Sequence, residues 1–185
     1  MNYYTQAAQE HIAILTHKPE LTGHFKRLNM LWLREFFEVE PYDQKILDNP
    51  QEFILNPGGQ IFYARMNDRI VGTGALFRDM SEEGLHQYEF TKMGVEPGLR
   101  GKGIGRKLLQ GVVDYAAAQK ADRVYILTNS MLAPATKLYR SMGFTDIALS
   151  EEDNIKYQRA DTKLELWLNA EKKPAGTDET LPVAA

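Results

Sequence analysis

The chain contains no cysteine. That removes disulfides, thiolate metal sites and a cysteine nucleophile together, and it fits a reducing, cytoplasmic setting. Histidine is scarce: four residues, scattered, without metal-ligand spacing, so no metal is expected. Neither sign of charge dominates. Lys and Arg number 22 against 25 Asp and Glu, a net charge of -3, too little basic field to collect nucleic acid. No apolar run approaches the ~20 residues that span a bilayer. The first residues, Met1 to Glu10, are polar and lack an apolar signal core. The expectation is a soluble cytoplasmic protein with neither a membrane nor a nucleic-acid partner.

What is present suits one globular core: 185 residues, 43% apolar and 25% charged. His11 to Thr16 alternates weakly, as a short strand. Phe25, Leu28, Trp32, Leu33, Phe36 and Phe37 recur at helical spacing, which predicts an amphipathic helix ended by Pro41. Asp43 to Leu47 reads as a second helix. Asn56-Pro57-Gly58-Gly59 is a turn by its chemistry. Gln60 to Met66 and Arg69 to Phe77 form a hairpin, and His86 to Val95 is a further strand.

Gly103 to Lys120 is a helix with Ile104, Leu108, Leu109, Val112, Val113 and Ala116 on its buried side. Arg123 to Thr128 is a β-branched strand and Leu132 to Met142 a helix stopped by Gly143. Phe144 to Ala148 and Thr162 to Leu168 complete the strands. Helices, a meander, then strand–helix–strand give a mixed α+β sheet with helices on its faces and one parallel pairing. The domain is expected to cover 1–168. From Asn169 the chain is polar and aperiodic, so 169–185 reads as a disordered tail.

The informative stretch is Val95 to Arg106, VEPGLRGKGIGR. A strand enters a glycine-rich turn, and the turn opens a long helix. Glycines let backbone N–H groups approach a ligand, and a helix N-terminus favours a diphosphate. Arg100, Lys102, Arg106 and Lys107 add cations. A Walker loop is excluded, because Glu96 stands where its first glycine belongs and Gly103 follows Lys102. The Gly101-x-Gly103-x-Gly105 spacing is not that of a dinucleotide fingerprint either.

Arg100-Gly101-Lys102-Gly103-Ile104-Gly105 resembles the acyl-CoA pyrophosphate loop of the GNAT N-acetyltransferase superfamily, Arg/Gln-x-x-Gly-x-Gly/Ala. Ala135 to Phe144, ATKLYRSMGF, resembles its second signature, Ala-x-x-Leu-Tyr-x-x-x-Gly-Phe, at the family's separation from the first. The likeness covers roughly Leu28 to Leu168, and the run Glu89 to Met93 is similar to bacterial members of unassigned substrate. Many relatives carry an asparagine seven residues before the signature tyrosine. Leu132 stands there, and Asn129 nearby is the candidate for that polar contact.

The resemblance implies a mostly antiparallel sheet with one splayed parallel pair. It also implies acetyl-CoA as co-substrate and direct transfer to a primary amine in a ternary complex. The amine belongs to a small molecule or a peptide. Cofactor contacts are expected from Met93, Gly94 and Val95, whose strand bulges in the family, and from Arg100, Gly101, Lys102, Gly103, Ile104, Gly105, Arg106 and Asn129. Glu89 is the candidate base for the amine, with pairing to Lys92 as its structural alternative. Tyr139 is the candidate acid for the departing thiolate. Tyr157 and Arg159 are candidates for the substrate pocket, while Trp32 and Phe36 read as core. Glu35, Glu38 and Glu40 read as a solvated face or as groups facing the amine. A homodimer through the sheet edge near the C-terminal strands fits this topology. The alternative from another class is a non-catalytic acyl-CoA-binding regulatory module.

Overall fold

The computed structural model describes residues 11–174. A seven-stranded sheet runs through them: β1 (Ile12–Thr16), β2 (Gln60–Met66), β3 (Arg69–Asp79), β4 (Gln87–Val95), β5 (Arg123–Thr128), β6 (Thr145–Ile147) and β7 (Thr162–Trp167). Their order is β1-β2-β3-β4-β5-β7-β6. Every pairing is antiparallel except β4 with β5. Five α-helices flank the sheet: α1 (Thr22–Phe36), α2 (Pro41–Asp48), α3 (Ile104–Ala118), α4 (Ala133–Ser141) and α5 (Glu151–Lys156).

Alternation along the strands divides the core into two layers. Phe62, Ala64, Leu76, Tyr88, Phe90, Val124, Ile126 and Leu164 pack with Leu108, Leu109 and Val112 of α3 and Tyr139 of α4. Ile61, Tyr63, Ala75 and Phe77 face the other way, onto Phe25, Leu28 and Leu33 of α1 and Ile46 and Leu47 of α2. The expected mixed sheet with helices on both faces is what forms.

Two features of β4 make the site. Between Thr73↔Gly94 and Ala75↔Thr91, β4 carries one residue more than β3. Lys92 absorbs it at φ 55, a bulge. Phe90 therefore faces α3 while Lys92 turns toward α2, and Met93 and Val95 return to the α3 side. The parallel ladder with β5 stops at Glu89↔Tyr125. Beyond it the strands part, and backbone on the β5 side of Phe90–Val95 is released from the ladder.

Three expectations need correction. Pro41 does not end the first helix. That helix stops at Phe36, with Phe37 extended at φ -144 and its N–H closing onto Leu33 O at 2.8 Å. Pro41 instead opens α2 at its first position, where Glu40 and Asp43 form a reciprocal capping box. Helix α5 was unanticipated, although Ser150 and Asp153 carry the same kind of start signal. The polar segment from Asn169 is not loose at its beginning. Ala170–Lys172 forms a 3-10 turn, and Asn169 Nδ2 and Lys172 Nζ each donate to Asp122 at 2.9 Å. Residues 1–10 and 175–185 lie outside the described residues.

Candidate active site

The parting of β4 and β5 opens a cavity of about 520 Å³. Its walls come from the bulged half of β4, the end of β5, the first turns of α3 and α4, the last turn of α1, and the segment before β7. Gly94 brings α1 against this strand. A side chain there would meet Leu28 O at 2.9 Å and Trp32 Cδ1 at 3.0 Å, so only glycine allows the approach.

At one end lies the glycine turn. Gly101 and Gly103 sit at φ +81 and +80, and no atom lies within 4 Å of where a β-carbon would stand on either. The turn is thus held in a left-handed conformation around open space rather than packed against protein. Lys107 N–H to Gly103 O is the first helical bond of α3. The N–H groups of Ile104, Gly105 and Arg106 precede the ladder, at the positive end of the helix dipole. Arg106 donates to Ser141 Oγ at 2.7 Å and lines the cavity. Arg100 also lines it, doubly bonded to Glu35 at 2.8 and 2.6 Å and set over Phe36. Lys102 is exposed on the same turn. These groups fit a diphosphate, and the split between β4 and β5 fits an extended arm leading inward from it.

Met93, Gly94, Val95, Arg100, Gly101, Gly103, Ile104, Gly105, Arg106, Asn129 and Tyr139 all line this one cavity. Asn129 does so with its side chain already engaged: Oδ1 accepts Met131 N–H at 2.9 Å and Nδ2 donates to Arg159 O at 2.5 Å. Its placement is that of a clamp between the β5–α4 turn and the Arg159 segment. Tyr139 is buried edge-on to Phe90 and beside Phe144, and burial pushes its hydroxyl pKa up.

Glu89 is not a wall residue. It is fully buried beneath the cavity, on the face opposite Tyr88 and Phe90, in register with Tyr125. Lys92 does not take it as direct partner either. Lys92 Nζ lies 2.5 Å from Asp43 Oδ1, with side-chain exposures of 1% and 0%. Arg159 binds the same carboxylate at 2.8 and 3.0 Å. Burial alone would raise the Asp43 pKa; the Arg159 hydrogen bond and the Lys92 charge outweigh it and hold the carboxyl below its usual range. Burial pushes the Lys92 ammonium below its ordinary value, against the pull of Asp43.

Sequence reasoning missed Asp43, which reaches the site across 49 and 116 residues of chain. Trp32 packs against the core as expected but also lines the cavity, whereas Phe36, expected in the core, is an exposed side chain on the cavity wall. Glu35 and Glu38 are exposed, as on a solvated face, with Glu35 paired to Arg100; Glu40 is half-buried and pairs with Arg159, and none of the three lines the cavity.

The acetyltransferase (GNAT) family model matches residues 25–144. The "N-alpha-acetyltransferase RimI" of Mycobacterium tuberculosis is 31% identical over 96 residues, 52% of this chain and 58% of that protein. The chain thus spans under two thirds of that relative's length. A GNAT-family acetyltransferase from Staphylococcus aureus Mu50 superposes with TM-score 0.74 and 25% identity, over 85% of this chain and 99% of that one. A protein from Salmonella typhimurium solved with its cofactor acetyl-CoA shares the fold at TM-score 0.67 and 20% identity, over 90% and 99% of the two chains.

Proposed function

The chain belongs to the acetyltransferase (GNAT) family, and from that premise we propose that it transfers an acetyl group from acetyl-CoA directly to a primary amine within a ternary complex. One observation carries the reading. The glycine turn and the released edge of β4 open onto the same cavity, so a diphosphate at one end delivers its arm to free N–H groups at the other.

Bound acetyl-CoA supplies an activated acyl group as a thioester. The N–H groups of Gly101 to Arg106 hold its diphosphate. Backbone N–H groups of Met93 and Val95, aimed from the bulged strand, hold the acyl oxygen and stabilise charge that builds there. Tyr139 lines the same cavity. Burial favours its neutral phenol, so its hydroxyl serves as a hydrogen-bond donor to the departing sulfur rather than as an acid that gives its proton up readily.

The attacking amine must be neutral, because an alkylammonium of pKa about 10 has no lone pair. Among the described residues no Asp or Glu lines the cavity. Glu89 therefore receives the amine's proton only through water, from beneath the wall.

A panel of amines with acetyl-CoA, read by free CoA release beside a CoA-binding measurement, tests the reading. Turnover with at least one amine is the expected result. Tight CoA binding with no turnover across amino acids, peptides and polyamines would make the chain a non-catalytic acyl-CoA-binding module.

A further inference from the structure

Among the described residues the cavity wall carries four cationic side chains, Lys92, Arg100, Arg106 and Arg159, and no carboxylate. Arg100 and Arg106 belong to the diphosphate end. Lys92 and Arg159 do not: one sits on the β4 bulge, the other in the segment before β7. Their counter-ions, Asp43 and Glu40, belong to the start of α2 and stand outside the lining. The two charges are neutralised from the back, and the cavity meets the cations first.

Arg159 is held with unusual completeness for a residue at a cavity wall. Asp43 takes one edge of the guanidinium in a two-point contact at 2.8 and 3.0 Å, and Glu40 Oε2 lies 3.1 Å from Nη1. Its carbon lies 5.4 Å from the Phe37 ring and 5.6 Å from the Tyr157 ring. Asn129 fixes the backbone carbonyl. These contacts use Nη1 and one hydrogen of Nη2. Among the described residues nothing takes the Nε–H or the second Nη2–H, and the side chain keeps 17% of its surface exposed. A guanidinium pre-set in this way loses little freedom when it binds a planar, two-oxygen anion.

Resting on the acetyltransferase reading, we propose that the acceptor amine carries a carboxylate, and that Arg159 recognises it. A polyamine would bring further cations to a wall with no carboxylate to receive them. A carboxylate also orients the substrate, since a two-point contact at Arg159 fixes which way the amine faces.

The test uses the full chain and matched acceptors: a free amino acid, a neutral dipeptide and a peptide with an acidic side chain, each against its carboxamide, with spermidine alongside. The carboxylate member of at least one pair should show kcat/KM about tenfold or more above its amide, the scale of one charge-assisted hydrogen bond. The difference should appear mainly in KM and largely vanish in Arg159→Gln, with CoA affinity intact. Arg159→Lys keeps the ion pair with Asp43 and covers the case in which the glutamine variant fails to fold. Which pair shows the preference tells a free amino acid from a peptide terminus or an acidic side chain.

A second arm needs no turnover. It measures binding of N-acetylglycine and N-acetylglycinamide to the CoA complex, where the acid should again bind about tenfold more tightly. Amides or spermidine equalling the acids, or a preference that survives both Arg159 variants, would overturn the inference and leave the transferase reading standing. Preference in binding without any turnover would do the reverse.

Discussion

Replacing Gly103 by alanine separates the cost of a left-handed backbone from the loss of a ligand cradle. Gly103 has φ +80, and an added β-carbon would enter open space, so no packing clash arises. The remaining penalty is conformational, about 1–2 kcal/mol for an L-residue held left-handed. On a chain of this size that lowers Tm by roughly 2–8 °C.

Binding should suffer more. Either the methyl stands where the diphosphate would lie, or the backbone relaxes and turns N–H groups away from it. Losing one or two charge-assisted hydrogen bonds, about 1.5–3 kcal/mol each, weakens CoA by roughly tenfold to several hundredfold or more. Gly143→Ala is the control. It has φ +92 and a nearest neighbour, Leu166 Cδ1, at an ordinary 3.5 Å, but it lies outside the cavity. Calorimetric titration with CoA, beside thermal melts, should show similar Tm losses for both variants and weak binding only for Gly103→Ala. Wild-type CoA affinity in folded Gly103→Ala, or an equal loss in Gly143→Ala, would refute the assignment of this turn.

Tyr139→Phe should lower kcat about ten- to hundredfold, the worth of a hydrogen bond to a charged group, while CoA affinity in the same titration stays unchanged. A parallel fall in CoA affinity would make Tyr139 a cofactor contact. Glu89→Gln should reduce turnover most near neutral pH and less at high pH, where more amine is already neutral; a uniform loss in the pH–rate profile marks a structural role. Asp43→Asn leaves two cations without their shared buried partner and should cost about 3 kcal/mol. Because the native Asp43 carboxyl is held below its usual range, its contribution is present above about pH 4 and fades as pH falls through the lowered value. Urea melts from acid to neutral pH should show the two proteins converging at the acid end.

Much of this architecture is legible in single residues. Gln60–Met66 and Arg123–Thr128 were placed to the residue, because alternation and β-branching leave short strands little freedom. The glycine turn was legible because three glycines among cations have few other uses. Pro41 was misread because proline both stops a helix and starts one. Only the neighbouring Glu40 and Asp43, an acid just before the proline and an acid two residues after it, separate the two cases. The position of Glu89 could not be read. Its face depends on where β4 bulges, and a lysine at positive φ leaves no mark in the sequence. Asp43 was invisible for another reason: nothing local ties residue 43 to 92 or 159, and their meeting is a product of the finished fold.

The bulge at Lys92 works as a change of frame written into the backbone. Up to Phe90, even-numbered side chains of β4 face α3; beyond Lys92, odd-numbered ones do. Substitution at Lys92 keeps the extra residue and with it the bulge, whereas deleting Lys92 would restore plain alternation against β3: Met93 and Val95 would stay on the α3 side, but the kink and the cation it turns toward α2 would be lost. Variant libraries built on this scaffold should therefore hold the strand's length constant and keep Gly94, where a side chain would strike α1.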